Sequence, residues 1–255
     1  MLSNVARAAA AYFETRARDG MAVGLACGTT LQEMVECLTP GKFASLGIYP
    51  LSVAVGPAFA SQFPNQLAGY MKMIYEKGPK PPGSERVDAF SFQVSPYADL
   101  NGGKGFLSWE EKLEYLDKHG QLDAFKQALD ADIYLLGIGS MEEPNEGFIR
   151  VLEQRGIDVD AIKRKAWGEI NYQPFGPDGF LTEEDVPGIV NKFIGVPWRH
   201  LQEMARQPAK HVIAVASGEK KTRAIRRSLE PDILCYDVLI TDEVVAKGLL
   251  DEESD

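Results

Sequence analysis

The chain has 255 residues, 45% apolar and 25% charged, a composition ordinary for a globular protein with a sizeable core. Its net charge of −10 argues against the surface as a whole gripping nucleic acid or an anionic membrane. No apolar run approaches the ~18 residues that span a bilayer, and the first twenty residues carry no signal-peptide core.

Val5, Ala8, Ala9, Tyr12 and Phe13 share one helical face, so an amphipathic helix is expected to open the chain and end at Asp19-Gly20. Residues 21–38 (MAVGLACGTTLQEMVECL) read as an apolar strand, a tight Gly/Thr loop and a helix, stopped by Thr39-Pro40-Gly41. A second strand is expected over 48–55, ended by Gly56-Pro57, then a helix over 65–75. Residues 77–84 (KGPKPPGS) are the clearest loop. A strand over 89–94 leads into Ser95-Pro96, with a turn at 101–105 and helices over 109–117 and through Leu122, Phe125, Ala128 and Leu129.

The second strand–loop–helix unit begins DIYLLGIGS at Asp132, with its strand over 133–138 and a helix around 147–155. WGEINYQPFGPDGFL reads as a small lid or hairpin turning at Gly176-Pro177-Asp178-Gly179. A short helix over 198–205 precedes the third unit, 211–229 (HVIAVASGEKKTRAIRRSL), and a last strand and helix over 236–250. Only the tail, residues 251–255, is an acidic block. Strand–helix alternation of this kind gives an α/β fold with a mostly parallel sheet, right-handed crossovers and helices on both faces. We expect one domain over residues 1–255.

A loop that leaves a parallel strand and opens a helix aims bare N–H groups above the sheet, where anions bind. Gly28-Thr29-Thr30 has the glycine for the turn and two hydroxyls for phosphate oxygens, although threonine there is also a plain helix cap. Gly137, Gly139 and Ser140 form a loop against which a ligand could lie, or a tight turn with none. Gly218, Lys220 and Lys221 open the third helix, where cations oppose the helix dipole unless an anion joins them, and one of the two lysines is expected to meet phosphate. Glu169 could accept hydrogen bonds from sugar hydroxyls; Asp242 and Glu243 read as a helix cap.

No GxxxxGK[ST] or GxGxxG loop occurs. His119, His200 and His211 sit in unrelated contexts, so neither a metal site nor a histidine-based catalytic pair is expected, and no cofactor. Cys27, Cys37 and Cys235, odd in number and without ligand spacing, read as reduced thiols of a cytoplasmic protein.

Residues 211–229 and 236–250 resemble the end of the sugar-binding (effector) domain of SorC-type bacterial transcriptional regulators. AVGLACGTTL resembles that family's first phosphate loop, DIYLLGIGS its second, and GEINYQPFGPDG its glutamate-bearing hairpin. The resemblance implies a Rossmann-like fold shared with ribose-5-phosphate isomerase, glucosamine-6-phosphate deaminase and CoA transferases. It also implies a sugar phosphate over the strand ends, held by Gly28, Thr29, Thr30, Glu169 and Lys220 or Lys221, and a homo-oligomer (dimer or tetramer). Family members carry a helix-turn-helix domain before this region, and here the chain begins almost at the first domain helix. A stand-alone domain and a fragment are both open, and DNA is expected as a partner only through such a missing domain. The strand after the first unit often ends in an arginine in that family, and here it reads SVAVGPAF.

The expected function is therefore a sugar-phosphate sensor. The alternative is an isomerase, deaminase or lactonase on the same superfold. The deaminases place a histidine after the second glycine loop, where this chain has Glu142, Glu143 and Glu146.

Overall fold

Three apolar runs without polar alternation, AVGL, IYLLG and HVIAV, are strands buried on both faces, as a parallel sheet under two helical layers requires. In the computed structural model, which describes residues 3–53, 63–77, 86–93 and 101–251, they lie side by side at the centre of one sheet. Ile133, Tyr134, Leu135 and Leu136 of the middle run are fully buried, each stabilising by about 1.5–3 kcal/mol where aliphatic or aromatic surface leaves water.

In chain order the first elements are α1 (Asn4–Arg16), β1 (Ala22–Leu25), α2 (Thr29–Glu36), β2 (Gly47–Pro50), α3 (Pro64–Glu76) and β3 (Asp88–Ala89). Then come α4 (Trp109–Lys118), α5 (Leu122–Leu129), β4 (Ile133–Gly137), β5 (Gly139–Ser140), α6 (Glu146–Gln154) and α7 (Val159–Lys165). The hairpin region holds β6 (Gly168–Ile170), β7 (Gln173–Gly176) and β8 (Gly179–Phe180). The chain closes with α8 (Trp198–Ala205), β9 (His211–Val215), a 3-10 turn (Glu219–Lys221), α9 (Thr222–Ser228), β10 (Val238–Ile240) and α10 (Glu243–Leu250).

The six-stranded sheet runs β10-β9-β4-β1-β2-β3, parallel throughout. This is the doubly wound order, in which the chain reverses direction across the sheet between β1 and β4. Loops on either side of that point diverge and leave a crevice at the C-terminal strand ends. A second, antiparallel sheet, β5-β6-β7-β8, grows directly from the end of β4. A separate apolar cluster beneath it gathers Phe148, Leu152, Ile162, Tyr172 and Phe193.

The small sheet is bolted to the large one. Asn171 Nδ2 donates to the carbonyls of Leu51 (3.2 Å) and Val196 (3.1 Å), and Val53 N donates to Ile194 O at 2.8 Å.

Several local expectations need correcting. Within the strand expected over 48–55, β2 ends at Pro50: Leu51 N still donates to Leu25 O at 2.9 Å, but Leu51 O and Val53 N bond to Val196 and Ile194, and residues 54–55 lie outside the described residues. Of the strand expected over 89–94, the described residues form only Asp88–Ala89; beyond it the Asn65 amide holds both Phe92 N and Phe92 O, and residue 94 lies outside the described residues. Helix α7 was not anticipated, and the third unit's helix begins only at Thr222. Gly56-Pro57, Ser95-Pro96, most of the 77–84 loop and the acidic tail past Asp251 lie outside the described residues.

Candidate functional site at the sheet switch point

A cavity of about 290 Å³ opens over the ends of β1 and β4, with the small sheet as its far wall. Gly28 enters α2 at φ 136°, a left-handed-side conformation suited to glycine. It offers no side-chain cap, and the first helical bond is Gln32 N to Gly28 O. The first-turn N–H groups of α2 are thereby left to a ligand or solvent, with the positive end of the helix dipole behind them. Thr29 is exposed, Thr30 is buried, and both line the cavity.

Gly137 and Gly139 form the floor. Ser140 lines it too, but its hydroxyl donates to Lys220 O at 2.7 Å and accepts from Glu142 N at 3.1 Å, tying the second loop to the third. Gly139 pairs with Glu169 across β5–β6, and the carboxyl folds over that glycine. Glu169 Oε2 accepts from Tyr172 N at 2.9 Å. Asn171 and Tyr172 both have positive φ, 50° and 62°, so β6 and β7 join through a two-residue turn of the type I′ class. Tyr172 in place of the usual glycine costs on the order of 1 kcal/mol. The turn places its buried ring beside the cavity, where its hydroxyl pairs with the Cys27 thiol.

Enclosure by protein pushes the Glu169 carboxyl up to about 7, against the lowering effects of the Tyr172 amide and the Lys221 charge. Burial likewise pushes the Cys27 thiol up to about 12, with Glu169 adding to it, so this thiol stays protonated and unreactive.

A carboxyl with a raised folded pKa favours the fold most below its ordinary value of 4.5, and that contribution is lost as pH rises through about 7. Glu169→Gln is therefore expected to flatten the fall in stability between pH 5 and 8. At pH 8 the variant should be the more stable by about 2 kcal/mol, less than the ~3 kcal/mol of the bare shift because the group faces an open cavity. Urea melts across this range check it; parallel wild-type and variant curves would refute it.

The third loop separates the two lysines. Lys221 lines the cavity, and its charge interacts with Glu169 and with Glu33, one turn into α2; burial lowers its pKa. Lys220 points outward, 64% exposed, to Glu143 at 3.3 Å. Gly218 is outside the lining, and its N–H donates to Asp242 Oδ2 at 2.6 Å. Asp242 also caps α10 through Val245 N. The nearby arginines are engaged in structure: Arg223 stacks on Trp167, Arg226 donates to Gly248 O, and Arg227 pairs with Asp232.

Sequence reasoning missed Cys27, Asn145, Phe148 and Tyr172 in the lining. Cys27 adjoins Gly28, and Asn145 ahead of Glu146-Gly147 is a legible helix cap; nothing local marks Phe148 or Tyr172. Among the described residues no three His, Cys, Asp or Glu gather as a metal site, and no helix is long and apolar enough to cross a membrane.

Residues 115–251, more than half the chain, match the family model Sugar-bind, described as "Putative sugar-binding domain". The chain belongs to this sugar-binding family. No curated protein matches it. Among solved structures the family domain is similar to a transcriptional regulator from Streptococcus pneumoniae TIGR4, with TM-score 0.72, 20% identity, and 98% of this chain and 85% of that one covered. It is also similar to the "Probable sor Operon Regulator" of Shigella flexneri (TM-score 0.65, 19% identity, 96% and 86% covered). A third is the full-length sorbitol operon regulator SorC of Klebsiella pneumoniae (TM-score 0.66, 17% identity, 98% and 71% covered). At these identities the likeness shows the fold, Rossmann-like as expected, with its small antiparallel sheet.

Proposed function

We propose that this sugar-binding domain takes a phosphorylated sugar in the switch-point cavity and acts as the effector sensor of a transcriptional regulator. The observation that carries the reading is one juxtaposition: the uncapped first turn of α2, the Lys221 ammonium and the Glu169 carboxyl border the same cavity. The amides and the cation suit a phosphate, and the carboxyl suits sugar hydroxyls. The names of the similar regulators support the sensing role. The residues that read the ligand come from both sheets, so binding favours the arrangement that holds them together, by its differential affinity for that state. The free thiols fit a cytoplasmic protein. On this reading the chain is one binding unit, a homo-oligomer that meets DNA through a helix-turn-helix domain.

An enzyme on the same fold has one observation in its favour, a Glu169 carboxyl titrating near neutrality, where a general base works best. A thermal-shift panel of glucose 6-phosphate, fructose 6-phosphate and ribose 5-phosphate, followed by NMR of the best binder after incubation, decides between them. Stabilisation with unchanged ligand is expected; turnover abolished by Glu169→Gln would replace the sensor with an enzyme. The Thr29→Ala/Thr30→Ala double variant should lose about tenfold in affinity, roughly 1.4 kcal/mol. Wild-type affinity in that variant would remove the hydroxyls from the phosphate site.

A further inference from the structure

The cavity's polar groups are unevenly spent, and this bears on how many phosphates the ligand carries. The N-termini of α2 and α6 both border it. That of α6 is already satisfied, since Asn145 Oδ1 accepts from Gly147 N at 2.8 Å and Phe148 N at 3.3 Å. In the third loop Gly218 N is taken by Asp242. Of the two α-helices that border the cavity, α2 alone presents a first turn without a side-chain cap; the 3-10 turn of the third loop, also without one, is the turn that carries Lys221.

Cations show the same asymmetry. Among the described lining residues Lys221 is the sole cation, and its coupling to Glu33, one turn into α2, sets it beside the N-terminal half of that helix. The remaining walls carry Glu143, Glu169 and the rings of Phe63, Phe148 and Tyr172. Nor does the segment after β2 bring another positive charge, since no Lys, Arg or His occurs anywhere between Lys42 and Lys72.

Resting on the proposed sugar-phosphate reading, we infer that the site takes a sugar with one phosphate and discriminates against bisphosphates. The phosphate lies between the open amides of α2 and Lys221, and the other end of the ligand is uncharged and hydroxylic, read by Glu169. A second phosphate would meet Glu143, whose charge already engages Lys220 on the rim, Glu169 or an aromatic ring, with no second cation in the described lining to replace its lost hydration.

Isothermal titration with matched pairs tests this: glucose 6-phosphate against glucose 1,6-bisphosphate, fructose 6-phosphate against fructose 1,6-bisphosphate, and ribose 5-phosphate against ribose 1,5-bisphosphate. In every pair that binds, the monophosphate is expected to be at least tenfold tighter. A bisphosphate equal to or tighter than its partner overturns the inference and leaves the sugar-phosphate reading standing. Binding of neither form in any pair overturns that reading, and this inference with it. Glu143→Lys, a change at an exposed rim position, should narrow the ratio severalfold by supplying the missing cation. A ratio unmoved by Glu143→Lys would count against the charge argument and overturn it.

Discussion

Lys221→Met is expected to weaken binding of the best monophosphate by roughly 10–100-fold, about 1.4–2.8 kcal/mol, while the fold stays as stable as wild type or gains. The two effects part company because Lys221 is held where burial already disfavours its charge. Without ligand that burial is a cost, offset in part by Glu169 and Glu33; with phosphate bound, the ammonium gains a dianion in a partly desolvated site. Methionine keeps the apolar stem and removes the charge. Lys220→Met is the matched control, since that ammonium is exposed and faces Glu143 on the rim. Exposed pairs of this kind contribute ~0–1 kcal/mol, so its affinity should move less than threefold. Titration calorimetry with thermal melts reads both quantities. Equal losses from the two variants would show that the phosphate is not held by Lys221.

Gly176→Ala is expected to destabilise the protein by about 3 kcal/mol, lowering its melting temperature by roughly 6–12 °C in a chain of this size. A Cβ there would stand 2.2 Å from Lys165 O, a backbone atom at the end of α7. Neither side can yield easily. Trp167 N donates to Phe175 O at 2.8 Å, and Arg227 Nε donates to Gly176 O at 3.0 Å. The strain falls on β7, whose pairing with β6 positions Glu169, so ligand affinity should fall with stability. Gly69→Ala is the control: it lies in α3 with nothing within 4 Å of the added carbon, and should be neutral or stabilising by up to ~1 kcal/mol. Should Gly176→Ala melt with wild type, the close approach of β7 to α7 is not tight in solution.

The parts of the molecule legible in the sequence are those where one local signal and the tertiary environment agree. AVGL, IYLLG and HVIAV could be read as strands of a parallel sheet because burial on both faces demands unbroken apolar runs. Helix α8, expected over 198–205, was found with those bounds because Pro197 marks its start and its apolar face is well spaced. By contrast α7, VDAIKRK, is seven residues long with Ile162 alone fully buried, too little for periodicity to register. The turn at Asn171-Tyr172 escaped because the signal for its class is Asn-Gly, and here a buried tyrosine takes the second place.

The amino-acid sequence by itself determined the fold class, the three strand–loop–helix units and the short list of groups able to meet an anion. Each of these follows from composition and spacing within about twenty residues. Only the tertiary structure decided which groups share the cavity. Lys220 and Lys221 are neighbours on a 3-10 turn, where successive side chains diverge by about 120°, so one faces the cavity and the other the rim. Glu169 meets Gly139 through β5–β6 pairing across some thirty residues, and the enclosure that moves its carboxyl toward neutrality exists only once both sheets are assembled. Charge and hydrogen-bonding capacity are written in the residue; desolvation and direction are properties of what packs around it.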